Sequence, residues 1–290
     1  MATGTTSRVR ACLWPGGWFA VGPGYSAPRL HSHHAHQISI ELSGLPLRIR
    51  TAADSEWRLH AAALIGADRP HAFDGAGCDV AMIFIDPESY EGRWLERSLR
   101  EDITEIPEAR IRPLLPRLAN TLADPFDGEM AAETVEEVVK AICWGPLPPQ
   151  RQDPRIHQGL AYLRGADTAR VSLQEVARVV HLSPSRFAHL FSQEVGLPFR
   201  RYLLWRRLNH ALLRIGTGQS FTAAAHGAGF ADSAHLTRTF QQMFGLSPSL
   251  MTGTVDFYEM PVPFQRPGRT PGEPMAASPH PSSLDEQPRT

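Results

Sequence analysis

The strongest constraint on the fold is an internal repeat in the second half of the chain. Residues 183–197 align with residues 232–246 at a constant offset of 49 positions. The identical pairs are Phe191 with Phe240, Gln193 with Gln242, Gly196 with Gly245 and Leu197 with Leu246. Each copy begins with a residue suited to cap a helix, Ser183 or Asp232, and closes on a glycine suited to the left-handed conformation that ends one. The repeat therefore predicts two similar, capped helices.

Each predicted helix is preceded by the pattern of a shorter one. Ser172 and Glu175 form a capping box that opens the first short helix, and Ser220 opens the second. A short helix, a turn of a few residues and a capped second helix make a helix-turn-helix motif, with Gly229 as the turn residue of the second copy. Two such motifs in tandem are a far more specific pattern than one.

The segment between the motifs has the length of a rigid connector. Residues 198–215 contain no glycine and no internal proline, which predicts a helix about 27 Å long. Its non-apolar side carries Arg200, Arg201, Arg206 and Arg207. Because successive major-groove faces of B-DNA lie roughly 34 Å apart, such a connector can set two recognition helices into adjacent turns.

Charge is divided between the two halves of the chain. Residues 151–253 hold twelve arginines and no lysine against five acidic residues, a net charge of +7, whereas residues 1–150 carry a net charge of −6. A basic module joined to an acidic one makes nucleic acid a candidate partner of the basic part only.

The segment from Gln158 to about Leu250 resembles the DNA-binding domain of the AraC/XylS family of bacterial transcription regulators. The residues that carry the resemblance are 172–177, 182–187, Phe191, Gly196 and Leu197 in the first half, and 228–240 and 244–248 in the second. The resemblance implies a sequence-specific DNA-binding regulator rather than an enzyme. It implies double-stranded promoter or operator DNA as a partner, together with a small-molecule effector, RNA polymerase and a second copy of the chain.

By this resemblance, the outward faces of the two recognition helices contact DNA. The first helix presents Ser185, Arg186, Ala188 and His189, and the second presents Ser233, Ala234, His235 and Arg238. Arg238 is expected to read guanine, with a phosphate contact or an ion pair inside the domain as the alternative. Arg200, Arg201, Arg206 and Arg207 are expected to neutralise phosphates, with a solvated helix face as the alternative. Ser185 and Ala188 are short where many family members have long polar side chains, which predicts weaker base readout by the first helix.

The first 86 residues carry runs typical of short strands, at 38–42, 47–50, 61–65 and 80–85. They predict a small β-barrel or sandwich, similar in position and pattern to the cupin-like sensing or dimerisation domain of many AraC/XylS regulators, for which a barrel is expected. From residue 88 to 144 the pattern is helical, and residues 134–144 place four apolar side chains on one stripe. This stripe could pack on its own barrel or on a second subunit.

The predicted fold class is therefore α+β. A cupin-like barrel with following helices occupies residues 1–145, and a proline-rich linker occupies 146–154. An all-α tandem helix-turn-helix domain occupies 155–253, and a disordered tail occupies 254–290.

Histidines mark a second candidate site. The segment from His31 to His36 contains four of them, and His71 lies further along the chain. The spacing of His34, His36 and Glu41 is similar to the first motif of metal-binding cupins, with His71 supplied by the second motif. We predict that His34, His36, Glu41 and His71 line an effector pocket, with no bound metal or other cofactor. A metal site built from imidazole and carboxylate is the alternative.

Two rival functions stay open at this point. One is a cupin-type metal-dependent enzyme or metal sensor with a DNA-binding appendage, and the other is a constitutive DNA-binding dimer without an effector. The three cysteines, Cys12, Cys78 and Cys143, are too few and too far apart for a disulfide framework. With no long apolar run in the sequence, we expect no membrane span and a cytoplasmic location.

Overall fold

A β-rich N-terminal domain precedes a helical C-terminal domain, which confirms the predicted α+β class. The computed structural model describes residues 8–53, 55–143, 153–248 and 254–264. The predicted linker lies outside these residues apart from Asp153 and Pro154, which already begin the first helix of the second domain. Among the helices so described, none combines the length and the apolar character that crossing a bilayer would need.

The strands of the N-terminal domain form two sheets rather than one closed barrel. In chain order they are β1 (Val9–Trp14), β2 (Gly17–Pro23), β3 (Ser26–His31), β4 (His36–Glu41), β5 (Leu47–Arg50), β6 (Arg58–His60), β7 (Ala62–Ile65), β8 (His71–Asp74), β9 (Asp79–Ile85) and β10 (Ile103–Glu105). The larger sheet has the antiparallel order β10-β7-β4-β9-β2-β1, and the smaller sheet has the antiparallel order β3-β8-β5-β6.

Helices cover one face of the larger sheet. They are α1 (Tyr90–Ser98), α2 (Glu108–Ile111), α3 (Leu115–Asn120) and α4 (Gly128–Ile142). The α4 helix begins after Asp127, whose side chain accepts a hydrogen bond from the Met130 backbone N–H at 3.0 Å. Its apolar stripe, Val135, Val138, Val139 and Ile142, is buried in one core with Ile38 and Ile83 of the larger sheet. The stripe therefore packs on its own domain, which is one of the two predicted alternatives.

The segment after the second motif is partly ordered, so the predicted tail is wrong for residues 254–264. Here β11 (Val255–Phe257) pairs in parallel with β1, at the edge of the larger sheet. The side chains of Arg8 and Asp256 form an ion pair of 2.6 Å beside this ladder. Backbone pairing holds residues 255–257, and the alternating apolar side chains of Met260, Val262 and Phe264 pack against the core of the N-terminal domain. Residues 265–290 lie outside the described part of the chain.

The C-terminal domain contains both predicted helix-turn-helix motifs. Its helices are α5 (Pro154–Gly165), α6 (Leu173–Val179), α7 (Pro184–Val195), α8 (Phe199–Gly216), α9 (Phe221–Ala228) and α10 (Ser233–Phe244). The side chains of Ser172, Ser183, Ser220 and Asp232 each accept a backbone hydrogen bond at a helix N-terminus, as predicted. Gly196 and Gly245 end the recognition helices in the left-handed conformation, with φ of 86° and 70°. The first motif is α6–α7, the second is α9–α10, and α8 joins them.

The two motifs bury their apolar sides in different places. The first-motif core is confined to the C-terminal domain and includes Ile156, Val176, Phe187, Phe191 and Tyr202. The second motif instead joins a shared core that also belongs to the N-terminal domain. That shared core includes Trp205, Leu208, Phe240 and Phe244 of the helices together with Phe73, Met82 and Phe84 of the strands.

Candidate nucleic-acid interface

The first recognition helix, α7, faces its own core with apolar residues and solvent with polar ones. Ser183 accepts a hydrogen bond from the backbone N–H of Arg186 at 3.3 Å, which fixes the start of the helix. Phe187 and Phe191 are fully buried in the first-motif core. The predicted contact residues are Ser185, Arg186 and His189, which are exposed, and Ala188, which is half-buried. The arrangement leaves one polar side of α7 open to a partner.

The second recognition helix, α10, is set up in the same way at its N-terminus. Asp232 accepts a hydrogen bond from the backbone N–H of His235 at 2.6 Å. The predicted contact residues are Ala234 and Arg238, which are exposed, and Ser233 and His235, which are half-buried. His235 packs edge-on against Phe230, with ring centroids 5.1 Å apart. Among the described residues Arg238 has no hydrogen bond or ion pair, and its role in reading guanine stays a prediction.

The beginning of the connector helix carries two exposed cations. Arg200 and Arg201 lie in the first turn of α8, directly after the turn that ends α7, and both are exposed. Guanidinium groups placed beside a recognition helix are well positioned for the phosphates that flank a major groove. The predicted phosphate role of these two residues therefore stays a prediction that the geometry allows.

The predicted phosphate role fits Arg206 and Arg207 less well than Arg200 and Arg201. The Arg206 side chain is 13% exposed and its Nη1 lies 4.0 Å from Asp86 Oδ2 in the N-terminal domain. Arg207 donates from Nε to the Thr168 carbonyl oxygen at 2.9 Å and is half-buried. Helical spacing separates the arginines from the apolar side of α8, but it does not show that another domain covers part of the arginine side.

Trp205 connects the two domains at the centre of α8, and sequence reasoning does not single it out. Its side chain is 1% exposed, and its Nε1–H donates to Asp86 Oδ1 at 3.0 Å. Burial raises the pKa of Asp86 above the ordinary value of a carboxyl, and the nearby Glu88 adds to this. A tryptophan within an apolar helix face has the spacing of any core residue, so no sequence signal assigns it to a domain junction.

The predicted effector residues do not come together in one site. His34 lies between two carboxylates, with Nδ1 2.6 Å from Asp68 Oδ2 and Nε2 against Glu88. Burial disfavours the charged ring, but Glu88 and Asp68 outweigh burial and raise the pKa of His34 to about 10. His36 is buried, and burial together with His34 lowers its pKa to about 3. Along β4, His36 shares its side with Ile38 and therefore faces the helices rather than the shared core.

Glu41 is also misplaced by the sequence prediction. Its Oε1 accepts hydrogen bonds from the backbone N–H groups of Ser43 and of Leu45, the latter at 3.0 Å. It therefore stabilises the turn that follows β4, far along the strand from the histidines. The spacing of these residues is similar to that of a cupin motif. It does not show which of the two faces of the strand lines the interior of the domain.

The structure instead groups His71 with His31 and His33. One ring nitrogen of each lies within 4.8 Å of one ring nitrogen of the other two, and all three residues are buried. We call this set the histidine triad. The sequence contains two pairs of histidines that are two positions apart, His31 with His33 and His34 with His36. Nothing in the sequence shows which pair lies beside His71. His33 and His34 lie between β3 and β4, where strand alternation cannot be applied.

Comparison with known proteins agrees with this geometry. Residues 176–252, which begin within α6 and include α7 to α10, match the family described as "Helix-turn-helix domain". The transcriptional activator RhrA of Rhizobium meliloti (strain 1021) is 34% identical over 98 residues, which cover 33% of this chain and 29% of that protein. The arabinose operon regulatory protein of Escherichia coli (strain K12) is 31% identical over 100 residues, which cover 33% of this chain and 34% of that protein. The chain thus spans about a third of the length of these curated relatives.

The likeness to a solved structure extends over both domains. ToxT from Vibrio cholerae O395 superposes with a TM-score of 0.51 at 12% identity, covering 85% of this chain and 97% of that one. At such identity the likeness concerns the fold alone. The C-terminal domain is a tandem helix-turn-helix domain of the kind found in transcription regulators. Over this region the chain is similar to regulators of the AraC type, such as the arabinose operon regulatory protein, which agrees with the resemblance inferred from its motifs.

Proposed function

We propose that this protein is a sequence-specific DNA-binding transcription regulator that acts in the cytoplasm on promoter or operator DNA. The observation that carries the proposal is the pair of capped helices, α7 and α10, whose polar sides stay exposed while their apolar sides are buried. The α8 helix that joins them has 18 residues, a length of about 27 Å, which suits adjacent turns of a duplex. No enzymatic activity is proposed.

The exposed side chains divide into two kinds of contact. Arg238 reads a guanine through its planar guanidinium, because two of its N–H groups can bridge O6 and N7 of that base. Arg200 and Arg201 contact phosphates, which adds affinity and salt dependence without sequence preference. The short Ser185 and Ala188 leave the first helix with Arg186 and His189 as its long polar side chains, so the second helix contributes more of the specificity.

Selection from a random duplex library with the full-length protein tests this function. After metal is removed with a chelator, we expect enrichment of a motif whose two conserved blocks lie roughly ten base pairs apart. Arg238→Ala should erase preference at one base pair, whereas Arg97→Ala, which removes an exposed arginine of α1, should leave the motif unchanged. Failure to enrich any sequence would overturn sequence-specific DNA binding. A motif that Arg238→Ala leaves unchanged would overturn the role of Arg238 in reading a base.

We also propose that the N-terminal domain controls DNA binding. The support is the shared core, since a change of packing around Phe84 or Phe73 must alter the surroundings of Phe244 at the end of α10. An effector that binds one arrangement of the N-terminal domain more tightly than another would then change the affinity for DNA by linkage.

A second copy of the chain and RNA polymerase are further partners proposed from the resemblance. Sedimentation with and without DNA tests whether two copies of the chain associate.

A further inference from the structure

The histidine triad has the features of a ligand set rather than of ordinary core residues. His31, His33 and His71 are 5%, 2% and 0% exposed, and the rings of His31 and His71 lie with centroids 4.3 Å apart. The Nε2 atoms of His31 and His71 are buried with no hydrogen-bond partner among the described residues. Two unpartnered nitrogens buried side by side are unfavourable unless something binds both, because a buried polar atom loses its hydration without replacement.

The opposite nitrogen of each ring fixes which atom is available. His31 donates from Nδ1 to the Arg29 carbonyl oxygen at 3.0 Å, and His71 donates from Nδ1 to the Arg69 carbonyl oxygen at 2.9 Å. Histidines that bind metal through Nε2 are oriented by such bonds from the other ring nitrogen. The Nδ1 of His33 likewise lies 3.1 Å from the Ala35 carbonyl oxygen, and its Nε2 lies 2.9 Å from the side-chain oxygen of Gln37.

The three ring nitrogens also lie close enough together for one ion to reach them all. Three nitrogens on one tetrahedral ion would lie roughly 3.4 Å apart, so small ring rotations from the present separations bring them into range.

The triad lies directly beneath the end of the second recognition helix. The Phe244 ring stacks on His33 with centroids 5.6 Å apart, and the His33 ring also lies 6.3 Å from that of Trp205. A Cβ placed on Gly245 would lie 2.6 Å from Nδ1 of His31, so the backbone that ends α10 touches this ring. Any rotation of His31 or His33 therefore changes the packing of the helix end.

We propose that His31, His33 and His71 bind a divalent first-row transition metal ion, and that its binding loosens the contact between the N-terminal domain and the C-terminal end of α10. This inference rests on the proposed function, since it names the chemical class of the effector. Imidazole nitrogen is a preferred ligand of Zn²⁺, Ni²⁺ and Cu²⁺, and Gln37 or water would complete the coordination. Convergence of the rings on the ion withdraws His33 from its stack with Phe244 and so weakens the hold on α10.

Metal titration of the full-length, chelator-treated protein tests the site. Zn²⁺ in competition with a chromogenic chelator should bind in a one-to-one ratio, and Co²⁺ should give the intense visible bands of a tetrahedral site. His31→Gln and His71→Gln should each weaken binding by roughly 100-fold or more. His157→Gln, an exposed histidine of α5, is the matched control and should bind as the wild type does.

Two further measurements keep the test decisive if a triad variant fails to fold. In the wild-type Co²⁺ protein, proton NMR should show three hyperfine-shifted, exchangeable imidazole N–H signals, one from each Nδ1–H. Hydrogen exchange in peptides covering 236–248 should become at least about threefold faster with Zn²⁺, whereas peptides covering α7 should not change.

The outcomes separate the parts of the proposal. No binding at micromolar Zn²⁺, or binding that the triad variants leave intact, overturns the metal site. Binding at the triad without faster exchange in 236–248 overturns the coupling to α10. Neither result bears on DNA recognition, because the library selection uses protein from which metal has been removed.

Discussion

The two helix-turn-helix motifs are similar in sequence but differ in what holds them in place. The first encloses its own core, in which Phe187 and Phe191 pack with Phe199 and Tyr202 of α8. The second has Phe240 and Phe244 in the core shared with the sheets of the N-terminal domain. The same motif thus serves once as a self-contained unit and once as part of a domain junction. The sheets of the N-terminal domain therefore share a core with the second motif but not with the first.

The largest expected effect comes from removing one aromatic ring from each core. Phe191→Ala and Phe244→Ala should each destabilise the protein by about 3–5 kcal/mol, since both rings are fully buried. The two variants should differ in which region of the protein is destabilised. Hydrogen exchange in β9 should rise in Phe244→Ala and stay unchanged in Phe191→Ala. Equal exchange in β9 for both variants would show that the shared core does not couple the domains.

The junction at Asp86 sharpens the same comparison. Asp86→Ala leaves the buried Trp205 Nε1–H without its acceptor and should lower the free energy of unfolding by about 1–3 kcal/mol. Urea denaturation measures this decrease, and exchange in the second motif should rise more than exchange in the first. Asp256→Ala, which removes a partly exposed ion pair with Arg8, is the control and should change stability less. An Asp86→Ala protein as stable as that control would contradict the assigned role.

Base recognition should also be unequal between the motifs. Arg238→Ala should weaken specific DNA binding by about 1–3 kcal/mol and relax the preference at one base pair. Arg186→Ala should weaken binding less, because Ser185 and Ala188 beside it are too short to complete a strong readout. Affinities for selected and random duplexes give both quantities. If Arg238→Ala weakens binding to both duplexes equally, Arg238 contacts a phosphate rather than a base.

The smallest expected effect concerns salt dependence. Replacing Arg200 and Arg201 together with alanine should reduce the slope of log affinity against log salt by about 2, one for each phosphate that is no longer neutralised. Arg206→Ala should leave the slope unchanged, since that guanidinium faces Asp86 inside the molecule. Titrations of DNA binding at several salt concentrations measure the slope. If Arg206→Ala reduced the slope as much as the double variant does, Arg206 would contact DNA as well, and its position beside Asp86 would not prevent this.

The features predicted correctly from the sequence are local ones. Caps such as Ser183 and Asp232, and terminating glycines such as Gly196, act within one turn of chain, so residue type and spacing are enough to place them. The stripe of α4 is also predictable, because an amphipathic period indicates which side is buried. The residues on which that side packs are not predictable in this way, because they belong to strands that lie far away in the chain.

The features predicted wrongly depend on contacts between distant segments. The sequence predicts one pocket for His34 and His36, but β4 begins only at His36, so alternation does not apply to His34 and His36 faces the helix-covered side. The period of α8 separates Arg206 from the apolar residues, yet only the docking of the N-terminal domain brings Asp86 to it. The order of residues 254–257 likewise depends on β1, more than 240 positions earlier in the chain.

The pairing of β11 with β1 limits how far the second recognition helix can travel. Only five residues separate Pro248 from Thr254, which at full extension reach about 20 Å. With one end of the motif joined to α8 and the other connected to β11, α10 can move away from the N-terminal domain by no more than this reach while β11 stays paired with β1. If the protein binds DNA as proposed, these two attachments restrict the distance between the two recognition helices before the duplex is bound.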